Sequence, residues 1–454
     1  MAGCSFAPSN ERSSLPTAAA YPGANAAQTQ VKQDALQLGW REFFTGERLQ
    51  ELIGQALVYN RIAVQRVEEV RGLYGIQRAD LIPGISAGAM GSRSRVPFDL
   101  SPTGSSITSD QYQITLNLSL WELDFWGRVR NLTAAALETY LATEEAQRAI
   151  VISLVAQVAN TYLLECELDE RIVIAQLSLA GREDSYRIAR RRYEVGTASK
   201  LDAVQAETLL NQARADRAAL MRQRDQNSNA LTLLVGVPIV AFETQPLSMI
   251  EPDFVQEISA GLPSDLLINR PDILAGEHRL KAANANIGAV RAAFFPRIML
   301  TGNLGTASAE LSGLFGAGSG IWSFAPSVTL PIFDGGRNRS NLDVSEARRN
   351  MAVADYERTI QVAFREVADA LAERRWLTLQ VAAQQATLAA QMERTRLAGL
   401  RYQNGAAPYL EVLDAERDRF IAEQELVQLR RAQLASSVNL YAALGGGTVI
   451  RKAQ

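Results

Sequence analysis

The second half of this chain restates the first at an offset of about 209 residues. Arg192-Tyr193-Glu194-Val195-Gly196 returns as Arg401-Tyr402-Gln403-Asn404-Gly405, and Gly127-Arg128 returns as Gly336-Arg337. Leu201, Val204, Ala206 and Glu207 return as Leu410, Leu413, Ala415 and Glu416. A period this long is no solenoid repeat; it means two copies of one large unit. Whatever fold is built must therefore use each element twice.

Each copy holds two kinds of pattern. Tyr112, Ile114, Leu116, Leu118 and Leu120 alternate with polar residues, a period of two over the length of a membrane strand. The counterpart lies at Trp322 to Leu330, and further strand signals follow Pro83 and Pro296. Two strands per copy are expected, joined by polar loops at Gly91 to Asp110 and Thr306 to Gly320. Helices should enter each hairpin at Leu52 to Asp80 and Asp272 to Phe294. Proline-free tracts then run from about Gly127 to Val195 and from Arg337 to Asn404. At 1.5 Å per residue each would be about 100 Å long. Val151, Val155, Val158 and Tyr162 keep coiled-coil spacing, as do Ile360, Phe364, Val367 and Leu371. Shorter helices, Leu201 to Val235 and Leu410 to Leu444, close each copy before Gly236 and Gly445.

Four strands cannot close a barrel, and an open sheet in lipid leaves its edges unsatisfied. The hairpins are therefore either soluble, or three chains supply a twelve-stranded barrel together. The expected division is an extended N-terminal arm over 1–35 and a first repeat over 36–245, with β-hairpin 84–125 and helical hairpin 127–236. A second repeat follows over 246–447, with β-hairpin 297–333 and helical hairpin 337–445, and then a tail over 448–454.

Composition narrows the functions. The net charge is −3, which offers nothing to nucleic acid. A single histidine, His278, and two cysteines, Cys4 and Cys166, leave little material for a metal site or a histidine-based catalytic dyad. His278 reads as a surface helical residue, and Cys166 as a small packing residue. No apolar run approaches the length of a membrane-spanning helix. Gly84-Ile85-Ser86-Ala87-Gly88 matches the nucleophile-elbow pattern, but a helix precedes it, a strand-like stretch follows it, and His278 is the only histidine. No catalytic residue and no cofactor are expected. The small residues before Cys4 look like the end of a lipoprotein signal, without its charged and apolar regions.

The turns Tyr193 to Ser199 and Tyr402 to Pro408 read as tight helix–helix connections. Gly196 and Gly405 allow positive φ, Ser199 is an N-cap, and Pro408 starts a helix. Thr197 and Ala406 complete them. Glu411 and Asp414 share a helix face, where their repeat partners are Asp202 and Gln205. They form either a carboxylate ring in a three-fold tube or a solvated face paired with Arg401 or Arg417.

The chain resembles the TolC-type outer-membrane efflux family, specifically its OprM-like lipoprotein branch. The resemblance rests on Trp40-Arg41-Glu42-Phe43-Phe44, Trp121 to Arg128, Arg270-Pro271-Asp272-Ile273, Ala289 to Pro296, Leu330-Pro331-Ile332-Phe333, Phe364 to Ala370 and Leu440 to Gly447. It implies a mixed α and β membrane protein. A homotrimeric twelve-stranded barrel in the outer membrane would continue as an α-helical barrel across the periplasm. It implies covalent lipid on Cys4, a constriction at Leu410 and acidic gating residues Glu411 and Asp414. Tyr193, Gly196, Thr197, Ser199, Tyr402, Gly405, Ala406 and Pro408 would receive a periplasmic adaptor. An inner-membrane RND-type transporter would supply energy, since the chain has no phosphate-binding loop. The expected function is the passive exit duct of a tripartite multidrug efflux pump. A type I protein secretion duct and a soluble periplasmic coiled-coil scaffold are the competing readings.

Overall fold

The computed structural model describes residues 6–9, 38–59, 61–102, 104–239 and 267–446. The chain divides into two compact units, each assembled from segments of both sequence halves. One comprises 1–14, 65–145 and 275–358; the other comprises 15–64, 146–274 and 359–454. The elements in chain order are α1 (Trp40–Phe43), α2 (Glu47–Tyr59), α3 (Arg61–Ala79), β1 (Ile85–Val96), β2 (Ile107–Glu122), α4 (Arg128–Glu194) and α5 (Lys200–Val235). Then follow α6 (Pro271–Ala292), β3 (Arg297–Ser308), β4 (Gly320–Thr329), α7 (Arg337–Gln403) and α8 (Tyr409–Ala443). Helices α4 and α7 have 67 residues each, and their ends are separated by the repeat offset.

In the first unit the strands form one antiparallel sheet in the order β1-β2-β3-β4. The two sequence copies are thus joined edge to edge, with Leu116 opposite Leu304. Register sorts the two faces. Ala87, Leu116, Leu304 and Trp322 align across all four strands. One residue along, Ser86, Asn117, Asn303 and Ser323 align on the opposite face. Because side chains alternate, one face is apolar and the other polar. The apolar face is open in the single chain: Trp322, Leu304 and Leu116 are all exposed.

The strands run further than the expected loops allow. β1 continues to Val96 and β2 begins at Ile107, so residues 91–96 and 107–110 belong to strands. Cross-strand partners sustain the pairing there: the Ser94 and Ser109 hydroxyls lie 2.9 Å apart, and Arg93 faces Asp110 at 3.3 Å. β3 likewise reaches Ser308. Under the sheet, Tyr74 of α3 stacks with Tyr140 of α4. His278 of α6 meets Glu138 of α4 at 2.6 Å, and Arg349 of α7 donates to Asn284 of α6. Helix order therefore follows strand order. His278 is a half-buried partner of a carboxylate rather than a free surface residue.

In the second unit polar bridges set a different order, α5-α4-α8-α7. Arg224 of α5 pairs with Asp169 of α4 at 2.7 Å, and Asn227 donates to buried Glu165 at 2.6 Å. Arg431 of α8 reaches Glu167 of α4 at 2.8 Å. Arg394 of α7 reaches Asp418 of α8 at 2.6 Å. Cys166 is buried, and burial pushes its thiol up to about 12, which fits a packing residue. α4 does contain one stretch apolar enough to cross a bilayer by composition, nearly half of it buried in the chain. Its apolar residues are dispersed among Ser153, Gln157 and Asn160, so they never appear as a run. α2 begins at Glu47, ahead of the expected Leu52, because Leu49, Leu52, Ile53 and Ala56 form a buried stripe.

Candidate functional site

The two helical hairpins turn by the same device. α4 closes on Gly196 at φ 80°, and α7 closes on Gly405 at φ 71°. In each, the glycine N–H donates back to the tyrosine carbonyl (Tyr193 at 2.9 Å, Tyr402 at 3.0 Å). The next N–H reaches the preceding arginine carbonyl: Thr197 to Arg192 at 2.9 Å and Ala406 to Arg401 at 2.8 Å. This double bond pattern needs a left-handed residue, and glycine alone adopts that conformation without steric cost.

The helices that follow start differently. Ser199 caps α5 in a reciprocal box: the Asp202 N–H donates to Ser199 Oγ at 3.1 Å, and the Ser199 N–H donates to Asp202 Oδ2 at 3.2 Å. Pro408 is the N-cap of α8, one position before the helix proper, and has no side-chain cap. Proline also has no N–H for an acid three residues on to accept. Glu411, the repeat partner of Asp202, is consequently freed from capping. Its carboxylate instead faces Arg401 at 3.5 Å. Asp414 pairs with Arg417 at 3.2 Å, and Leu410 is 48% exposed. The reading of these acids as partners of Arg401 and Arg417 therefore describes the single chain. Across the helix Val412, Leu413 and Ala415 are buried, with Val412 and Ala415 against Ala398. One face of the first two turns holds α8 to α7, which leaves Leu410, Glu411 and Asp414 on a face available to other partners.

Sequence reasoning missed the contacts that tie α8 to α4 and α7 at this level. The Tyr409 ring lies 4.9 Å from that of Tyr402, tilted by 49°; its hydroxyl is 2.6 Å from Ser185 Oγ, and Arg192 donates to the Tyr402 hydroxyl at 2.6 Å. Glu416 faces buried Arg182 at 3.4 Å. Burial raises the Glu416 carboxyl above its ordinary value, and Arg182 offsets this only in part. Burial likewise raises the Tyr409 phenol. Three of these pairs, Ser185 with Tyr409, Arg192 with Tyr402 and Arg182 with Glu416, join residues more than 200 positions apart, where no periodicity speaks; only Tyr402 and Tyr409, seven apart across one turn, gave a local signal. Cys4 lies outside the described residues. Among the described residues no group of acidic, cysteine and histidine side chains could hold a metal ion.

The outer membrane efflux protein family model matches residues 60–237 and 262–446. The chain belongs to this family. It is 46% identical over 447 residues to the outer membrane protein OprJ of Pseudomonas aeruginosa, covering 98% of this chain and 93% of that protein. It is 45% identical over 452 residues to the toluene efflux pump outer membrane protein TtgC of Pseudomonas putida, with the same coverage. Among solved structures it resembles the open state of the MtrE outer membrane channel of Neisseria gonorrhoeae, with a TM-score of 0.87 and 40% identity, over 98% of this chain and 99% of that one. This chain is thus an outer-membrane efflux channel protein with a mixed α and β membrane fold, and the soluble-scaffold reading falls.

Proposed function

We propose that three copies of the chain close into one tube, the passive exit duct of a tripartite multidrug efflux pump. The observation that carries this is the sheet: an exposed apolar face, a polar opposite face, and unpaired outer edges on β1 and β4. Three such sheets joined edge to edge would make twelve strands, satisfy every edge, turn the apolar faces to lipid and line the bore with Asn117, Asn303 and Ser323. The helices would continue the tube through the periplasm. Its inner end would be held by Leu410, Glu411 and Asp414, with Arg401 and Arg417 as their counter-charges. The turns around Tyr193, Gly196, Thr197 and Ser199, and around Tyr402, Gly405, Ala406 and Pro408, would receive a periplasmic adaptor. An RND-type transporter in the inner membrane would drive export, and lipid on Cys4 would anchor the arm in the outer membrane. The cargo class is small apolar and amphiphilic molecules, toluene being the one named for TtgC.

Deleting the gene should lower resistance to such compounds without emptying the culture medium of secreted protein. Loss of a secreted protein with unchanged resistance would favour a protein-secretion duct instead. Chemical cross-linking of membranes should stop at a trimer.

A further inference from the structure

The foot of the sheet carries an aromatic stack that the duct reading leaves unused. Trp126 follows β2 and donates its indole N–H to the Pro296 carbonyl at 2.9 Å. Phe295, just before β3, stacks on Trp126 at 4.8 Å. Phe6, from the N-terminal arm, also stacks on Phe295, at 4.9 Å with rings 4° from parallel. The Arg291 guanidinium donates to the Phe6 carbonyl at 3.2 Å. Beside it, a Cβ on Gly288 would lie 2.9 Å from the Ala7 nitrogen and 2.7 Å from Asn131 Nδ2, so the missing side chain leaves the room that both the arm and Asn131 of α4 occupy. A ring stacked on a ring, a main-chain hydrogen bond and a glycine notch together hold one dipeptide.

We infer that Trp126, Phe295, Arg291 and Gly288 form a receptor for Phe6-Ala7 that fixes the height of Cys4 at the helical end of the barrel strands. This rests on the lipid-anchor reading of Cys4. The chain sets a bound: two residues reach about 7 Å at most, so docking Phe6 would hold the Cys4 Cα to within that distance of the Phe6 Cα. Aromatic rings at strand ends sit at the membrane–water interface, where an acyl chain starting beside them enters the leaflet directly. The arm and the strands would then meet the bilayer as one piece, and the clasp couples anchoring to insertion of the sheet.

The test separates the clasp from the lipid. Ser9 is exposed and takes a spin label as S9C in a C4S background, where Cys166 is buried and does not react. The label should be immobilised, should become mobile with F6A, and should stay immobile with F6W. A mobile label in the parent, or no change with F6A, overturns the clasp. Should C4S fail to insert, hydrogen exchange of residues 286–296 in membrane-extracted wild type and F6A replaces it. Exchange several-fold faster in F6A is expected, and equal rates overturn the proposal. With Cys4 intact, F6A should lower the outer-membrane trimer yield several-fold; equal yield removes the positioning role. The mass of the N-terminal peptide reads the lipid separately. An unlipidated Cys4 would sink the anchor while the spectra still decide whether the arm docks.

Discussion

Pro408 and Ser199 stand at equivalent turns, yet they assign opposite duties to the acids three residues on. Asp202 is held by the cap, whereas Glu411 has no N–H to accept and is left to Arg401. Replacing Pro408 with serine restores both a hydroxyl and an N–H. P408S should draw Glu411 into a capping box, stabilising α8 by about 0.5–2 kcal/mol and releasing Arg401. If Glu411 helps to close the duct, single-channel conductance in planar bilayers should rise in P408S toward that of E411A. The double replacement E411A/D414A should raise it further, and unchanged conductance would remove both acids from the gate. Glu416 behaves differently, because burial raises its pKa in the folded state. A raised folded pKa means that the folded form binds the proton more tightly than the unfolded one. The corresponding stability is complete below the unfolded value and is lost as pH rises through the folded one. Trimer melting temperature should therefore fall across that window in wild type and stay flatter in E416Q. The doubled charge was legible as a break in the repeat, since Asp414 stands opposite Gln205 while Glu411 keeps the acid of Asp202. Arg182 was not, since its meaning depends on a residue 234 positions away.

At the scale of elements, the repeat offset and the two periodicities located both long helices to within a residue or two. That precision has a physical source. A left-handed glycine breaks a helix sharply: Gly127 and Gly336 stand just before the long helices, Gly196, Gly236, Gly405 and Gly445 just after helix ends, and all six have positive φ. Strand ends were less legible because they lack such a marker. Residues 92–95 and 108–110 are polar on both faces, so nothing in their composition separates strand from loop; cross-strand partners such as Arg93 and Asp110 accompany their pairing. The lateral order of the helices was illegible for a further reason: it is written in long polar side chains, Arg224, Arg431 and Arg394, that look solvent-facing in sequence. The Ser199 cap gives a test at this scale. S199A removes the acceptor for the Asp202 N–H and should destabilise α5 by about 0.5–2 kcal/mol. The loss should appear as faster hydrogen exchange in the first turns of α5, with α8 unaffected.

For the whole molecule the sheet is decisive, because its four strands satisfy their hydrogen bonds only in company and hide their apolar face only in lipid. The register separates the two faces by a single residue. Leu304 lies in the row with Ala87, Leu116 and Trp322, while its neighbour Asn303 lies in the row with Ser86, Asn117 and Ser323. An arginine at either position adds the same charge and the same bulk to the same strand. On the lipid side it should cost about 2–4 kcal/mol per chain near the bilayer midplane, three times over in a trimer. On the lumen side it meets water and costs little. L304R should therefore abolish the folded trimer in the outer membrane, whereas N303R should assemble normally and shift ion selectivity toward anions. Assembly of L304R at wild-type yield, or loss of N303R, would mean that the apolar face does not meet lipid and that the barrel is closed some other way.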